Sequence, residues 1–437
     1  MRILVVVHQF LPRDSAGTEV YAHRLAKALQ ARGHELSVYY TVRDPARPQY
    51  ALRRGVYDGL PFFEVVHNHE FPDFRSVYKD ARMEQHLRTV LDAVRPDVVH
   101  VQHLHLHSIG YPEIIKERGL PIVFTLAEYL LICLRSWLVK PDFTLCEGPA
   151  VEECARCATR VSPPIKAVRV QSGPRPRYSL RRFLGKVQRR FRPRSYVPEV
   201  ERRWREIKRA LDRVDLFIAP SRFLRDRFVE SGMVAAERIV YSDYGMDRTP
   251  FARLPPRASD GTLRVGFVGS IAEQKGVHLL LEAFAGIDDA RIECRIHGDP
   301  GAFPAYSGAL RPKAGNVRFL GRFDNARVGE VLAELDVLAV PSRWFENSPL
   351  SIHEAFLAGV PVITGDRGGM AELVRHGESG LCFRIGDAAD LRRQILRLRD
   401  EPGLLARLRA GIPPVKDIAQ DAEELEARFQ ALVESRA

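Results

Sequence analysis

LDVLAVPSRWFENSPLSIHEAFLAGVPVITGDRGGMAEL, residues 335–373, reads as strand, loop, helix and second strand. The apolar run 335–342 is the first strand. Ser348 suits the N-cap of the helix, and Pro349 suits its first position, where a missing N–H costs nothing. Such a helix start presents unpaired N–H groups and a positive dipole end, a ready site for phosphate. Glu346 lies in the loop just before that start, and Glu354 lies in the second turn. Two carboxylates framing an anion site suit a ligand with both phosphate and hydroxyls, such as a nucleotide sugar. The same spacing also describes a capped surface helix with two solvated glutamates.

The strand–helix alternation extends over the whole chain. Further strands are expected at 2–8, 34–41, 96–103, 120–127 and 214–221. After the Pro-rich stretch RLPPRASDG (253–261), a second set is expected at 263–270, 290–298, 316–323, 336–342 and 360–366. Strands apolar along their whole length imply a parallel sheet covered on both faces. Two such sets imply two doubly wound, Rossmann-like α/β domains, which bind ligands beyond the C-terminal strand ends. A chain of 437 residues is long enough for two cores.

Hydrophobic content of 45% and charged content of 28% are those of a water-soluble fold. MRILVVVHQF reads as a first strand rather than an export signal, and no run approaches a membrane span. Six cysteines do not make a disulfide scaffold, so a cytoplasmic location is expected.

Two glycine turns stand at strand ends. Gly17 and Thr18 open a helix after the first strand, and Gly33 ends it. Gly269 and Ser270 end the first strand of the second set, with Lys275-Gly276 five residues later. Lys275 there can reach a phosphate as a point charge. Neither turn has the spacing of a dinucleotide fingerprint or a P-loop.

In order, GSIAEQKG (269–276), HGDP (297–300), FLGRFDN (319–325), VPSRWFENSPLSIHEAFLAGVPVI (340–363) and GGMAELVRHGESGLCF (368–383) resemble the family 4 retaining glycosyltransferases of the GT-B fold. GTEVYAHRLAKALQARGHE (17–35), PDVVHVQH (96–103) and LFIAPSRFLRDRF (216–228) agree with them. The resemblance implies a domain over 1–250 on the acceptor side and a donor-binding domain over 251–417, facing each other across a cleft. A last helix, about 418–437, returns to the first domain. It implies hexose transfer with retention from a UDP-, GDP- or ADP-linked sugar to a glycan or lipid-linked acceptor.

By that resemblance Glu354 holds the ribose, Glu346 binds the donor sugar, and Asn347, Ser348, Pro349, Leu350 and Ser351 meet sugar and phosphates. Lys275 neutralises the departing diphosphate beside Gly269 and Ser270, and Arg322 joins the nucleotide pocket. No catalytic metal is expected. Gly17, Thr18, His103 and Glu128 fall on the acceptor side. After the strand PIVFT, relatives carry His-Asp or His-Glu, whereas this chain reads T-L-A-E-Y. Ala127 therefore stands where an imidazole reaches the donor sugar. That departure leaves three alternatives: His103 or His105 takes the role, the protein binds nucleotide sugar with impaired or no catalysis, or Ala127 is a substitution of the natural residue. The histidines of HVQHLHLHS (100–108) also read as ordinary hydrogen-bonded residues.

Two features lie outside the resemblance to the catalytic parts. Cys133, Cys146, Cys154 and Cys157 have C-x12-C-x7-C-x2-C spacing, which suits a structural zinc or an iron–sulfur cluster. Unrelated thiols are the other reading. Cys294 and Cys382 read as packing residues in strands. The net charge is +11, and residues 160–213 hold 18 Lys/Arg against 4 Asp/Glu. Within this basic insertion (about 160–210), apolar residues recur at helical spacing in 175–196. That pattern fits peripheral contact with an anionic inner membrane face. No nucleic-acid recognition motif accompanies the charge, so no nucleic-acid partner is expected.

Overall fold

Each apolar run forms a strand, because a segment apolar along its whole length can be buried only inside a sheet covered on both faces. The computed structural model describes residues 1–161, 196–256, 260–312 and 314–436. The first sheet contains β1 (Arg2–Val6), β2 (Glu35–Val42), β3 (Leu52–Tyr57), β4 (Leu60–Val66), β5 (Val98–Val101), β6 (Ile122–Thr125), β7 (Leu216–Ala219) and β8 (Ile239–Tyr241). The second contains β9 (Leu263–Val268), β10 (Ile292–His297), β11 (Val317–Gly321), β12 (Val337–Val340), β13 (Val362–Gly365) and β14 (Gly380–Phe383).

The strand orders are β3-β4-β2-β1-β5-β6-β7-β8 and β11-β10-β9-β12-β13-β14. All neighbouring pairs run parallel except the β3–β4 hairpin. The two doubly wound sheets are those expected. Reading by apolar runs misses β3, β4 and β8. The hairpin did carry a local signal: Asp58-Gly59 takes φ of 47° and 73°, the left-handed pair that a tight hairpin turn requires.

Each sheet reverses its strand order once, between β1 and β5 in the first and between β9 and β12 in the second. Loops leaving the strands diverge at such points and open a crevice. The two crevices face each other.

Segments cross between the halves. The last helix, Ile418–Glu434, starts with a capping box at Asp417 and buries Ala422, Leu425 and Phe429 with Ile3, Val5 and Leu25 of the first domain. Tyr21 donates to Asp421 at 2.8 Å. In the other direction, Trp344 and Phe345 from the loop after β12 enter the first domain's core beside Tyr129, Leu131 and Leu138. Burial of aromatic area makes this a firm attachment.

The basic amphipathic segment 175–196 lies outside the described residues, save Tyr196. The following helix, Val197–Leu211, is described, and its Arg203 is only 2% exposed. No described helix is long and apolar enough to cross a membrane.

Candidate functional site

Lys275 follows β9 and Glu346 follows β12, so the reversal in the second sheet brings them together. Arg343 N–H donates to the Gln274 carbonyl at 2.8 Å, joining the two loops through backbone. Gly276 makes this approach possible. Its φ is +73°, and a Cβ there would stand 1.9 Å from the Pro341 carbonyl oxygen.

Glu346 is 4% exposed. Its Oε1 accepts from Lys275 Nζ at 2.7 Å, Ser342 Oγ at 2.6 Å and Trp344 Nε1 at 2.8 Å. Lys275 Nζ also stands 5.7 Å from the centroid of the Trp344 ring. Three donors on one carboxylate oxygen fix the side chain in a single position, and the ammonium remains at the mouth of the crevice.

The helix after this loop spans Leu350–Leu357 and has Pro349 at its N-cap. It begins one residue later than the sequence suggests. Ser348 does not cap it, because its hydroxyl donates to Asp243 at 2.6 Å instead. Glu354 remains in the second turn, beside the cavity. Burial pushes its carboxyl up to about 7, against the smaller opposing effects of Arg24 and His353.

A cavity of about 430 Å³ separates the two domains. The second domain contributes Gly269, Ser270, Lys275, Arg322, Glu346 and Glu354, together with the whole run Asn347–Ser351. The first contributes Gly17, Thr18 and Ala127. The structure thus gathers most of the residues singled out from the sequence, and the helix start Pro349–Ser351 faces the cavity as proposed for an anion. The first helix, Gly17–Ala31, also points its N-terminal turn there and lacks a side-chain cap.

His103, His105 and Glu128 do not line this cavity. His103 Nε2 lies 3.6 Å from Glu128 Oε1, behind Ala127. Burial holds the His103 imidazole well below its ordinary range and pushes Glu128 up to about 8. Leu130 N–H donates to Glu128, and the buried Arg203 donates to the Leu130 carbonyl. His100 bonds Thr125 at 2.8 Å, and His107 donates to the Val7 carbonyl at 2.8 Å. These two are hydrogen-bonded core residues.

Several residues that sequence reasoning missed complete the cleft. Ser221 donates to Asn347 Oδ1 at 2.8 Å, and Asn347 Nδ2 donates to the Leu126 carbonyl at 3.3 Å. Glu372 accepts the first-turn N–H groups of Arg222 and Phe223, which open the helix Arg222–Glu230. Ser221, a readable N-cap before RFLRDRF, was the available signal; the carboxylate that completes that cap comes from the other domain.

The four cysteines of 133–157 share one lobe, where Cys154 stands within electrostatic reach of Cys133, Cys146 and Cys157. Among the described residues, no group of three or more His, Cys, Asp or Glu is arranged to hold an ion. Two of the sulfurs have local partners. Cys133 Sγ accepts from Arg135 N–H at 3.3 Å, and the Cys146 thiol donates to the Gly148 carbonyl at 3.3 Å. Burial pushes the Cys154 thiol up to about 11. Cys294 is fully buried and packs as expected, while Cys382 is partly exposed.

Comparisons with known proteins agree with this arrangement. Residues 15–127 match the model of Glycosyltransferase Family 4, and residues 262–401 match Glycosyl transferases group 1. The chain is 35% identical over 153 residues to 2-deoxystreptamine glucosyltransferase of Streptomyces kanamyceticus, a match covering 34% of this chain and 39% of the relative. The fold resembles Anabaena Alr3699/HepE, solved with UDP and glucose, at a TM-score of 0.62 and 16% identity, over 99% of this chain and 100% of that one. It also resembles the catalytic domain of starch synthase IV from Arabidopsis thaliana, bound to ADP and acarbose, at a TM-score of 0.63 and 15% identity, over 99% of each. The two matched models bracket the facing crevices: the chain carries a Glycosyltransferase Family 4 domain on one side and a Glycosyl transferases group 1 domain on the other, in a fold that matches GT-B glycosyltransferases.

Proposed function

We propose that this chain transfers a hexose from a nucleotide-diphospho-sugar to a hydroxyl of a glycan or lipid-linked acceptor, with retention at the anomeric carbon. The observation that carries the reading is the Lys275–Glu346 ion pair at the start of the Leu350–Leu357 helix, with Glu354 one turn further on. A cation and a helix N-terminus receive a diphosphate, and the two carboxylates receive hydroxyls of ribose and sugar. Arg322 borders the nucleotide end. Lys275 stabilises the charge that develops on the leaving diphosphate, where a preorganised cation has its largest effect on rate. Same-face attack leaves the departing phosphate to take the acceptor proton, and no divalent ion is needed. The UDP- and ADP-bound neighbours support a nucleotide-linked donor.

A second reading is motivated by Ala127, which lines the cavity and supplies no polar group. On that reading the protein binds nucleotide sugar and turns it over slowly or not at all. The basic segment 175–196 supports an acceptor held at an anionic membrane surface on the cytoplasmic side. Sedimentation with anionic vesicles, lost when that segment is neutralised, is the expected result.

The test is a thermal-shift panel of UDP-, GDP- and ADP-sugars, since a ligand that binds only the folded state raises Tm. One nucleotide class should raise Tm, and no response to any of them would sink the donor reading. Donor turnover is then compared between the present chain and Ala127→His. A large gain in the variant favours the impaired reading. Ready turnover without it favours the enzyme, and proton NMR of the product gives the anomeric configuration.

A further inference from the structure

Ser348 lines the donor cavity, yet its hydroxyl bonds away from it, to the half-buried Asp243 and the buried His353. Oγ donates its single proton to Asp243 Oδ1 at 2.6 Å and stands 2.8 Å from His353 Nε2. With that proton committed, Oγ can only accept from the imidazole, so Nε2 carries the hydrogen. Nε2 also lies 3.5 Å from the same Asp243 oxygen. Ser348 and His353 are 6% and 5% exposed. Three polar groups thus satisfy one another.

The three groups come from different places. Asp243 lies just beyond β8, where the chain leaves the first sheet, and the Lys416 ammonium holds its carbonyl at 3.2 Å. Ser348 precedes the helix Leu350–Leu357, and His353 belongs to it. The neighbouring Asn347 is tied to Ser221 and Leu126 of the first domain. Two consecutive residues at the helix start are therefore fixed against first-domain segments rather than by their own helix.

We propose that His353 is a positioning residue for donor binding: through Ser348 Oγ and Asp243, it sets the helix start that receives the diphosphate. The inference rests on the donor-site reading above. It makes donor affinity depend on a contact to the segment that joins the two domains. A histidine that merely filled space would affect folding and leave the donor site unchanged.

The variants His353→Leu, His353→Gln and Asp243→Asn test this. Gln keeps an N–H near the place of Nε2, whereas Leu removes it. Donor Kd by calorimetry, acceptor KM, kcat and Tm are measured on the full chain. His353→Leu should weaken donor binding about tenfold or more, the scale of one buried hydrogen bond lost. Acceptor KM should stay unchanged, and His353→Gln should recover most of the affinity. Asp243→Asn should weaken donor binding similarly, and the double variant should be no weaker than the worse single one, because the groups act as a unit. Wild-type donor binding with an unaltered Kd in His353→Leu overturns the inference alone. So does a fall in Tm with donor and acceptor affected alike. Wild-type protein that binds no nucleotide sugar overturns the donor-site reading and this inference with it.

Discussion

Lys275 Nζ stands 2.7 Å from Glu346 Oε1, although 71 residues separate them in the chain. The contact spans β9 and β12, neighbours in the sheet only because the strand order reverses there. The carboxylate holds the ammonium at the start of the next helix. Glu346 is in turn held by Ser342 and Trp344, and the Trp344 ring is anchored in the first domain's core. The cation is therefore placed before any ligand arrives.

Removing the cation should cost rate more than stability. Lys275→Met is expected to lower donor turnover about 10²- to 10³-fold, as loss of one preorganised charge-stabilising group does elsewhere. Its Tm should move little, since the lysine is partly exposed. Glu346→Ala differs: it strands the Ser342 and Trp344 donors and should destabilise the fold by about 1–3 kcal/mol. Glu346→Gln should recover much of that stability without restoring turnover. Steady-state rates and urea unfolding on the three variants check the pattern.

Glu354 gives the protein a pH signature. Burial pushes its folded carboxyl up to about 7 from an ordinary 4.5. Between these values the folded state binds more protons than the unfolded one, so stability falls as pH rises from about 4.5 through about 7. The loss should be roughly 2 kcal/mol, below the full shift because the carboxyl borders the cavity and keeps some water. Glu354→Gln should abolish this slope and be the more stable form at pH 8. Donor affinity should run the other way, improving as the carboxylate ionises to accept ribose hydroxyls. Denaturant midpoints and donor Kd between pH 5 and pH 8 measure both trends.

Phe345 joins the two halves by packing. It is 1% exposed, and its ring centroid lies 4.9 Å from that of Phe223 across the domain boundary. Phe345→Ala should cost about 3–5 kcal/mol, the usual range for a buried aromatic. It should also lower turnover, because Glu346 is the next residue. A shift in urea midpoint below 1 kcal/mol would show that the contact is not kept in solution.

Glu372 joins them by charge. Its carboxylate caps the helix Arg222–Glu230 from the opposite domain. Glu372→Ala should cost about 1 kcal/mol, the usual effect of losing a helix cap. It should also expose the cleft to limited proteolysis. Small-angle scattering that shows an unchanged radius of gyration in the variant would mean that other contacts hold the domains.

Much of this was legible in the sequence because it is local chemistry. The apolar runs defined the parallel strands, and the Glu346–Ser351 stretch announced a ligand site at a helix start. Gly276 lay in plain view beside Lys275, but its need arises from the Pro341 carbonyl 65 positions further on. Other elements were not legible for the same reason. β3 carries Arg53 and Arg54 side by side, β4 is broken by Pro61 and Glu64, and both escaped a search for continuous apolar runs. Ser348 looked like a helix cap until its hydroxyl met Asp243. The cysteines had metal-like spacing, and the sulfurs of Cys133 and Cys146 each have a backbone partner two residues away.

Local pattern was enough to read the two doubly wound sheets, the family resemblance and most of the residues that line the cleft. Periodicity, glycine turns and motif order are properties of neighbouring residues, and the chain displays them directly. Which of those residues meet depends on the folded arrangement. The strand reversal set Lys275 against Glu346, the returning last helix and the Trp344–Phe345 insertion locked the domains, and burial raised Glu354 toward neutral pH. Those outcomes depend on distance and dielectric between segments far apart in the chain, quantities that no local pattern encodes.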